Sequence, residues 1–149
     1  MSAPVPLPPP SEENRQCLQH REHPHCFACG TVEGSGGLAL AFQVDPTHHG
    51  VTAAWSCPAA HCSYADTVHG GVLATLVDSA MVHALFAQGV VARTAELCIR
   101  YRHPVATEHP LTVTACLRQH LGRLLVLDAA ITQDGRRCVA AEAKFMSAA

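Results

Sequence analysis

An α+β fold, with a curved antiparallel sheet wrapped around one long helix, is predicted by three features of this 149-residue sequence. Residues 68–88, VHGGVLATLVDSAMVHALFAQ, place apolar side chains around almost the whole circumference of a helix, the pattern of a helix buried on nearly all sides. Two strand-like segments precede this helix and four follow it. The tripeptides His120-Leu121-Gly122 and Gln133-Asp134-Gly135 read as tight reversals between the later strands. Strands on either side of a single buried helix leave one simple packing solution, a sheet closed over the helix.

The elements follow in order. Residues 1–10, MSAPVPLPPP, suit neither a helix nor a central strand and are expected to form an extended, mobile tail. Residues 11–22 are polar, with a short helix predicted to begin near Ser11, where Glu13 and Asn14 suit a first turn. We therefore divide the chain into a tail and short segment over 1–22 and one domain over 23–149. Gly37 to Asp45 and Val51 to Ser56 form a predicted hairpin, joined through Asp45-Pro46 and the polar stretch to Gly50. A loop over Cys57 to Val68 leads into the helix, which should stop near Gly89. The remaining strands are expected at Val91–His103, Leu111–His120, Arg123–Thr132 and Arg137–Ser147, linked as three consecutive hairpins. In the first of them, Ala95, Leu97, Ile99 and Tyr101 alternate with Thr94, Glu96, Cys98, Arg100 and Arg102, so one face should meet the helix.

Composition narrows the function. With 48% hydrophobic and 15% charged residues, the chain can bury a sizeable core. Its net charge of −2, with nine arginines and one lysine, Lys144, offers no basic field for nucleic acid. The apolar run from Val72 to Leu85 is broken by Asp78 and His83 and reads as too short to cross a bilayer. The N-terminus lacks the charged-then-apolar order of a secretory signal. Of the eight cysteines, Cys98, Cys116 and Cys138 lie in strand-like segments where a free thiol packs as a small hydrophobe, so a reducing cytoplasm is expected.

Chemistry centres on Asp78, a carboxylate in an otherwise apolar helix. Desolvation disfavours its charged form and would bring it toward the range of a general base. An alternative is a structural acceptor bonded to a Ser, a Tyr or a backbone amide. Gly70 and Gly71 stand at the helix start, where free amides and the positive helix end can hold an oxyanion and the missing side chains admit a substrate. Asp78 lies about two turns farther on, roughly 10 to 12 Å along the axis. One carbonyl cannot easily touch both within one chain, so the two groups are expected from different subunits of a homodimer, or with a water between them. His69 either orients substrate or caps the helix.

HGG followed by Asp nine residues after the histidine, CFACG at 26–30 with Gly36-Gly37-Leu38 downstream, and IRYRHPV at 99–105 together resemble the hotdog-fold acyl-CoA thioesterases, particularly their phenylacetate-pathway and small thioesterase-superfamily branch. The likeness covers residues 25–147. It implies hydrolysis of an acyl-CoA thioester, with Asp78 from the facing subunit as general base or nucleophile. Gly70 would present its amide to the thioester oxygen, with Gly71 and His69 beside it. Thr94 stands where relatives hold the water with Ser or Thr. Ser63, six residues before His69, replaces an Asn or Gln common in that loop. The resemblance further implies at least a homodimer, expected as a dimer of dimers, and no cofactor beyond the coenzyme A of the substrate. Arg100 and Arg102 project together and are candidates for the coenzyme A phosphates, against the alternative of a solvated face.

Cys26 and Cys29 form a CxxC preceded by His23 and His25, and the later loop adds Cys57, His61 and Cys62. Cys26, Cys29, His61 and Cys62 are the candidate ligands of a structural zinc. A redox role is disfavoured, because this CxxC does not open a helix after a strand. Two other functions compete with this one. A hydratase would need Asp78 and His83 to converge, but five helical residues separate them by roughly 140°. A non-catalytic acyl-CoA-binding module would use the same pocket without needing a carboxylate at position 78.

Overall fold

The computed structural model describes residues 6–35 and 37–149; the tail expected over 1–10 lies partly, and Gly36 wholly, outside the described residues. Two helices, α1 (Glu12–Glu22) and α2 (Gly70–Ala87), accompany six strands, β1 (Gln43–Asp45), β2 (Gly50–Ser56), β3 (Ala92–Tyr101), β4 (Pro110–Leu121), β5 (Leu124–Gln133) and β6 (Arg136–Ser147). All strand pairs are antiparallel, in the order β1-β2-β4-β5-β6-β3. The curved sheet holds α2 against its inner face. Leu76, Val77, Ala80, Met81, Leu85 and Phe86 are buried there, with Leu125, Leu127, Ile131, Val139 and Phe145 from the strands. By length and apolarity α2 would also suffice to cross a membrane, but its place is the centre of this core.

Four expectations are corrected. First, β1 has three residues instead of the nine expected. Leu38, Leu40 and Phe42 do alternate inward, but the amides of Leu38 and Leu40 donate to the carbonyls of Phe27 and Ala28, and Ala39 is left-handed at φ 50°. That segment is spent on the CFACG loop before it can join the sheet. Second, β3 makes no hairpin with β4; it crosses to the far side of β6 and forms an edge of the sheet. Third, α2 is not enclosed all round. Gly71, Val72, Thr75, Asp78, Ser79 and Val82, at helical spacing, form a stripe that is exposed or half-buried.

Fourth, the N-terminal segment docks on the domain. Ser11 caps α1 by accepting from the Asn14 amide (3.3 Å), Arg15 and Leu18 are buried, and α1 packs on α2. The Ser11 amide donates to Ala87 O at 2.7 Å, and Gln88 Nε2 donates to Pro8 O at 3.1 Å. Both contacts fix the end of the proline-rich stretch to the last turn of α2.

Candidate active site

Two polar groups stand on the open side of α2. At its start, His69 is the N-cap and its Nδ1 accepts the Gly71 amide at 2.9 Å, satisfying one of the first-turn donors. The two glycine amides expected to act together are therefore unequal. Gly71's is taken by the cap, whereas Gly70's has no acceptor among the described residues. Tyr101, at the end of β3, donates its hydroxyl to Gly70 O at 2.8 Å and holds this turn against the sheet edge. A cavity of about 350 Å³ opens here, lined by Ser63, Tyr64, Thr67, Gly70, Tyr101 and Arg102 among others.

Two turns along the helix, Asp78 is half-buried, not buried as its surroundings in the sequence suggested. Its Oδ1 accepts from Thr94 Oγ1 at 2.7 Å, and Oδ2 has no protein donor among the described residues. The contact depends on a β-bulge. Thr94 pairs with Phe145 and Glu96 with Lys144, which leaves Ala95 as an extra residue. A bulge of this kind switches which side chains share a face. Strict alternation set Thr94 opposite Leu97, Ile99 and Tyr101; the extra residue returns it to the helix-facing side, over Asp78.

Arg100, on the outer face of β3, and Arg102, just past its end, are exposed in a shallow depression with Cys98, Ala140 and Glu142. Neither forms a salt bridge among the described residues. Arg102 also reaches the rim of the Gly70 cavity. His83 is fully buried, its ring stacked on Phe42 with centroids 4.5 Å apart, so it faces the core and not the Asp78 stripe.

The candidate zinc ligands do not assemble as proposed. His61 and Cys62 serve the turn ahead of α2, where the His69 amide donates to His61 O at 3.0 Å and Cys62 bridges to Val68. It is His23 that joins Cys26 and Cys29, their ligating atoms all within 4.8 Å of one another. Burial, with the Cys26 sulfur adding to it, pushes the Cys29 thiol up to about 12. Burial lowers His23. Burial and then the Arg15 charge bring His83 down to about 3.

Tyr101 and Arg15 escaped the sequence analysis as site residues, whereas His23 was part of the Cys/His cluster without being chosen among its four candidate ligands. Of the first two, only Tyr101 carried a visible signal, its place in the helix-facing alternation of β3.

The family model described as the thioesterase superfamily matches residues 65–140, about half of the chain, from the loop before α2 into β6. The structure superposes on the E. coli PaaI protein from the phenylacetic acid degradation operon with a TM-score of 0.77 at 20% identity, over 93% of this chain and 96% of that one. A crystal structure described as a thioesterase superfamily protein matches at 28% identity with a TM-score of 0.69, over 72% of this chain and 53% of that one, so the chain spans about half of that protein's length. A hypothetical thioesterase from Streptococcus pneumoniae, solved with coenzyme A, matches at 21% identity with a TM-score of 0.65, over 72% and 88%. No curated protein matches the sequence. The architecture is the hotdog fold that the sequence motifs implied.

Proposed function

The chain belongs to the thioesterase superfamily, and from that premise we propose that it hydrolyses an acyl-CoA thioester to the free acid and coenzyme A. Asp78 drives the attack on the thioester carbonyl, as general base on water or as nucleophile, and the Gly70 amide of the facing subunit receives the oxyanion. Collapse of the tetrahedral intermediate breaks the carbon–sulfur bond, and the coenzyme A thiolate leaves and takes a proton; on the nucleophilic route water then hydrolyses the acyl–Asp78 anhydride, releasing the acid and restoring the carboxylate. Thr94 fixes the carboxylate, Ser63 and Gly71 border the bound acyl group, and Arg100 and Arg102 face the phosphates of coenzyme A. His69 acts as the cap that holds the glycine turn. The working form is at least a homodimer, extending to a dimer of dimers, in a reducing cytoplasm.

The observation that carries this reading is the half-open carboxylate of Asp78, pinned through one oxygen by Thr94 on a helix stripe beside an unpaired sheet edge. A purely structural acid in a core is expected to have both oxygens satisfied. The free Gly70 amide at the start of the facing subunit's α2 supplies the complementary donor, and coenzyme A in the Streptococcus pneumoniae relative supports the substrate class.

The test is release of free thiol from a panel of acyl-CoAs. Asp78→Asn is expected to lower turnover by at least about a thousandfold, while coenzyme A binding measured by calorimetry changes little. Undiminished turnover in that variant removes the mechanism. Binding by the wild type without turnover of any acyl-CoA would mark a non-catalytic module instead.

A further inference from the structure

We infer that His23, Cys26 and Cys29 form a zinc site, with the two sulfurs and Nδ1 of His23 as three of four tetrahedral ligands, the fourth position open to solvent, and with His83 hydrogen-bonded to the Cys29 sulfur. The geometry carries the assignment. Zinc in a tetrahedral site lies about 2.3 Å from sulfur and about 2.0 Å from nitrogen, which sets those two donors about 3.5 Å apart. Cys29 Sγ and His23 Nδ1 are 3.6 Å apart, and the Cys26 sulfur lies within 4.8 Å of both.

The backbone is shaped to hold this arrangement. The Gly30 amide closes the CxxCG turn onto Cys26 O at 2.7 Å. A Cβ on Gly30 would lie 2.6 Å from that oxygen and 2.4 Å from Ser35 Oγ, so the turn admits no side chain there. Electrostatics also fit, because two thiolates and a neutral imidazole cancel the charge of a divalent ion and let it sit at a half-buried position. Binding would release two thiol protons to solvent.

His83 is a positioning residue and not a ligand. Arg15 Nη1 lies 3.2 Å from His83 Nδ1; a guanidinium only donates, so Nδ1 must accept. The ring proton of the neutral imidazole is then on Nε2, which lies 3.2 Å from Cys29 Sγ and donates to it. Outer hydrogen bonds of this kind orient and stabilise metal-bound thiolates. The site would thereby tie the loop after α1 to the C-terminal half of α2.

The full-length chain, purified reduced and without chelators from zinc-supplemented medium, should contain about one equivalent of zinc by elemental analysis. Replacement by cobalt should give sulfur-to-cobalt charge-transfer bands and the intense visible bands of a tetrahedral centre. Cys26→Ser and Cys29→Ser should retain less than about a tenth of the metal, while His61→Gln and Cys62→Ser retain nearly all of it. If a cysteine variant fails to fold, the wild-type cobalt spectrum decides alone. The assignment is overturned by a reduced chain that takes up no zinc on titration, by a cobalt form without thiolate bands, by a Cys26–Cys29 disulfide in anaerobically isolated protein, or by metal loss in Cys62→Ser.

Discussion

Thr94 gives Asp78 its only protein hydrogen bond among the described residues, so the carboxylate's orientation hangs on one hydroxyl. A hydrogen bond to a charged group is worth about 1.5–3 kcal/mol. Thr94→Ala should therefore lower kcat by roughly ten- to a hundredfold with a smaller change in KM. Thr94→Ser, which keeps the oxygen, should recover most of the loss in the same thiol-release assay. Full kcat in Thr94→Ala would show that the contact is incidental. At this scale the sequence was informative about types and less so about partners. Asp78 and Gly70 stood out because their chemistry is incongruous with the apolar run and the helix start they occupy. Thr94 was indicated by resemblance alone, while strict alternation assigned it to the wrong face, because an unpaired residue such as Ala95 leaves no mark in the polar–apolar pattern. The cluster of His23, Cys26 and Cys29 was half legible. CxxC declares itself by spacing, whereas whether His23 or His61 completes it depends on where the loop over 57–68 runs, and that loop is used to brace the turn before α2.

Elements were read well where one periodicity persisted and poorly where a choice of neighbour was needed. The limits of α2 and of β4, β5 and β6 follow from apolar runs closed by glycine-containing turns. That β3 would cross to β6 was not legible, since alternation reports a strand's faces and says nothing about its edges. The same gap concealed the docking of α1, whose sequence looks like a solvated helix. Its anchor is a polar network. Glu12 accepts from the Val44 amide at 2.8 Å and from Arg15, and Arg15 continues to His83. The Arg15 hydrogen bond, with help from the Val44 amide, holds the Glu12 carboxyl below its ordinary value of 4.5. A lowered carboxyl binds fewer protons in the folded chain than in the unfolded one, so its stabilisation is present above pH 4.5 and is lost as pH falls through the folded value. The Glu12 side chain is 41% exposed, and solvent screening limits the effect to under about 1 kcal/mol. Glu12→Gln should lower the denaturation midpoint slightly at neutral pH and flatten its decline below pH 4.5. An unchanged acid limb in urea titrations would mean that Glu12 does not anchor the helix.

For the whole molecule, the spacing of Gly70 and Asp78 along one helix bears on how many chains build one site. Eight residues of α-helix advance about 12 Å, too far for one thioester carbonyl to meet the Gly70 amide and the Asp78 carboxylate of the same chain. A twofold arrangement that brings the open stripe of α2 and the free edge of β3 against a second copy would let each site draw one group from each protomer. Mixed chains test this directly. Gly70→Val would push a side chain toward Tyr101, since a Cβ there already lies 3.7 Å from that ring, and would fill the cavity mouth at the helix start. An equal mixture of Asp78→Asn and Gly70→Val chains, unfolded and refolded together, yields homodimers that are inactive and hybrids that each hold one intact site and one doubly damaged site. Hybrids make up half of a statistical mixture, so activity should return to about a quarter of wild type. If Gly70 and Asp78 served the same site from within one chain, every site in the mixture would carry one lesion and no activity would return, even with sedimentation showing dimers of normal size.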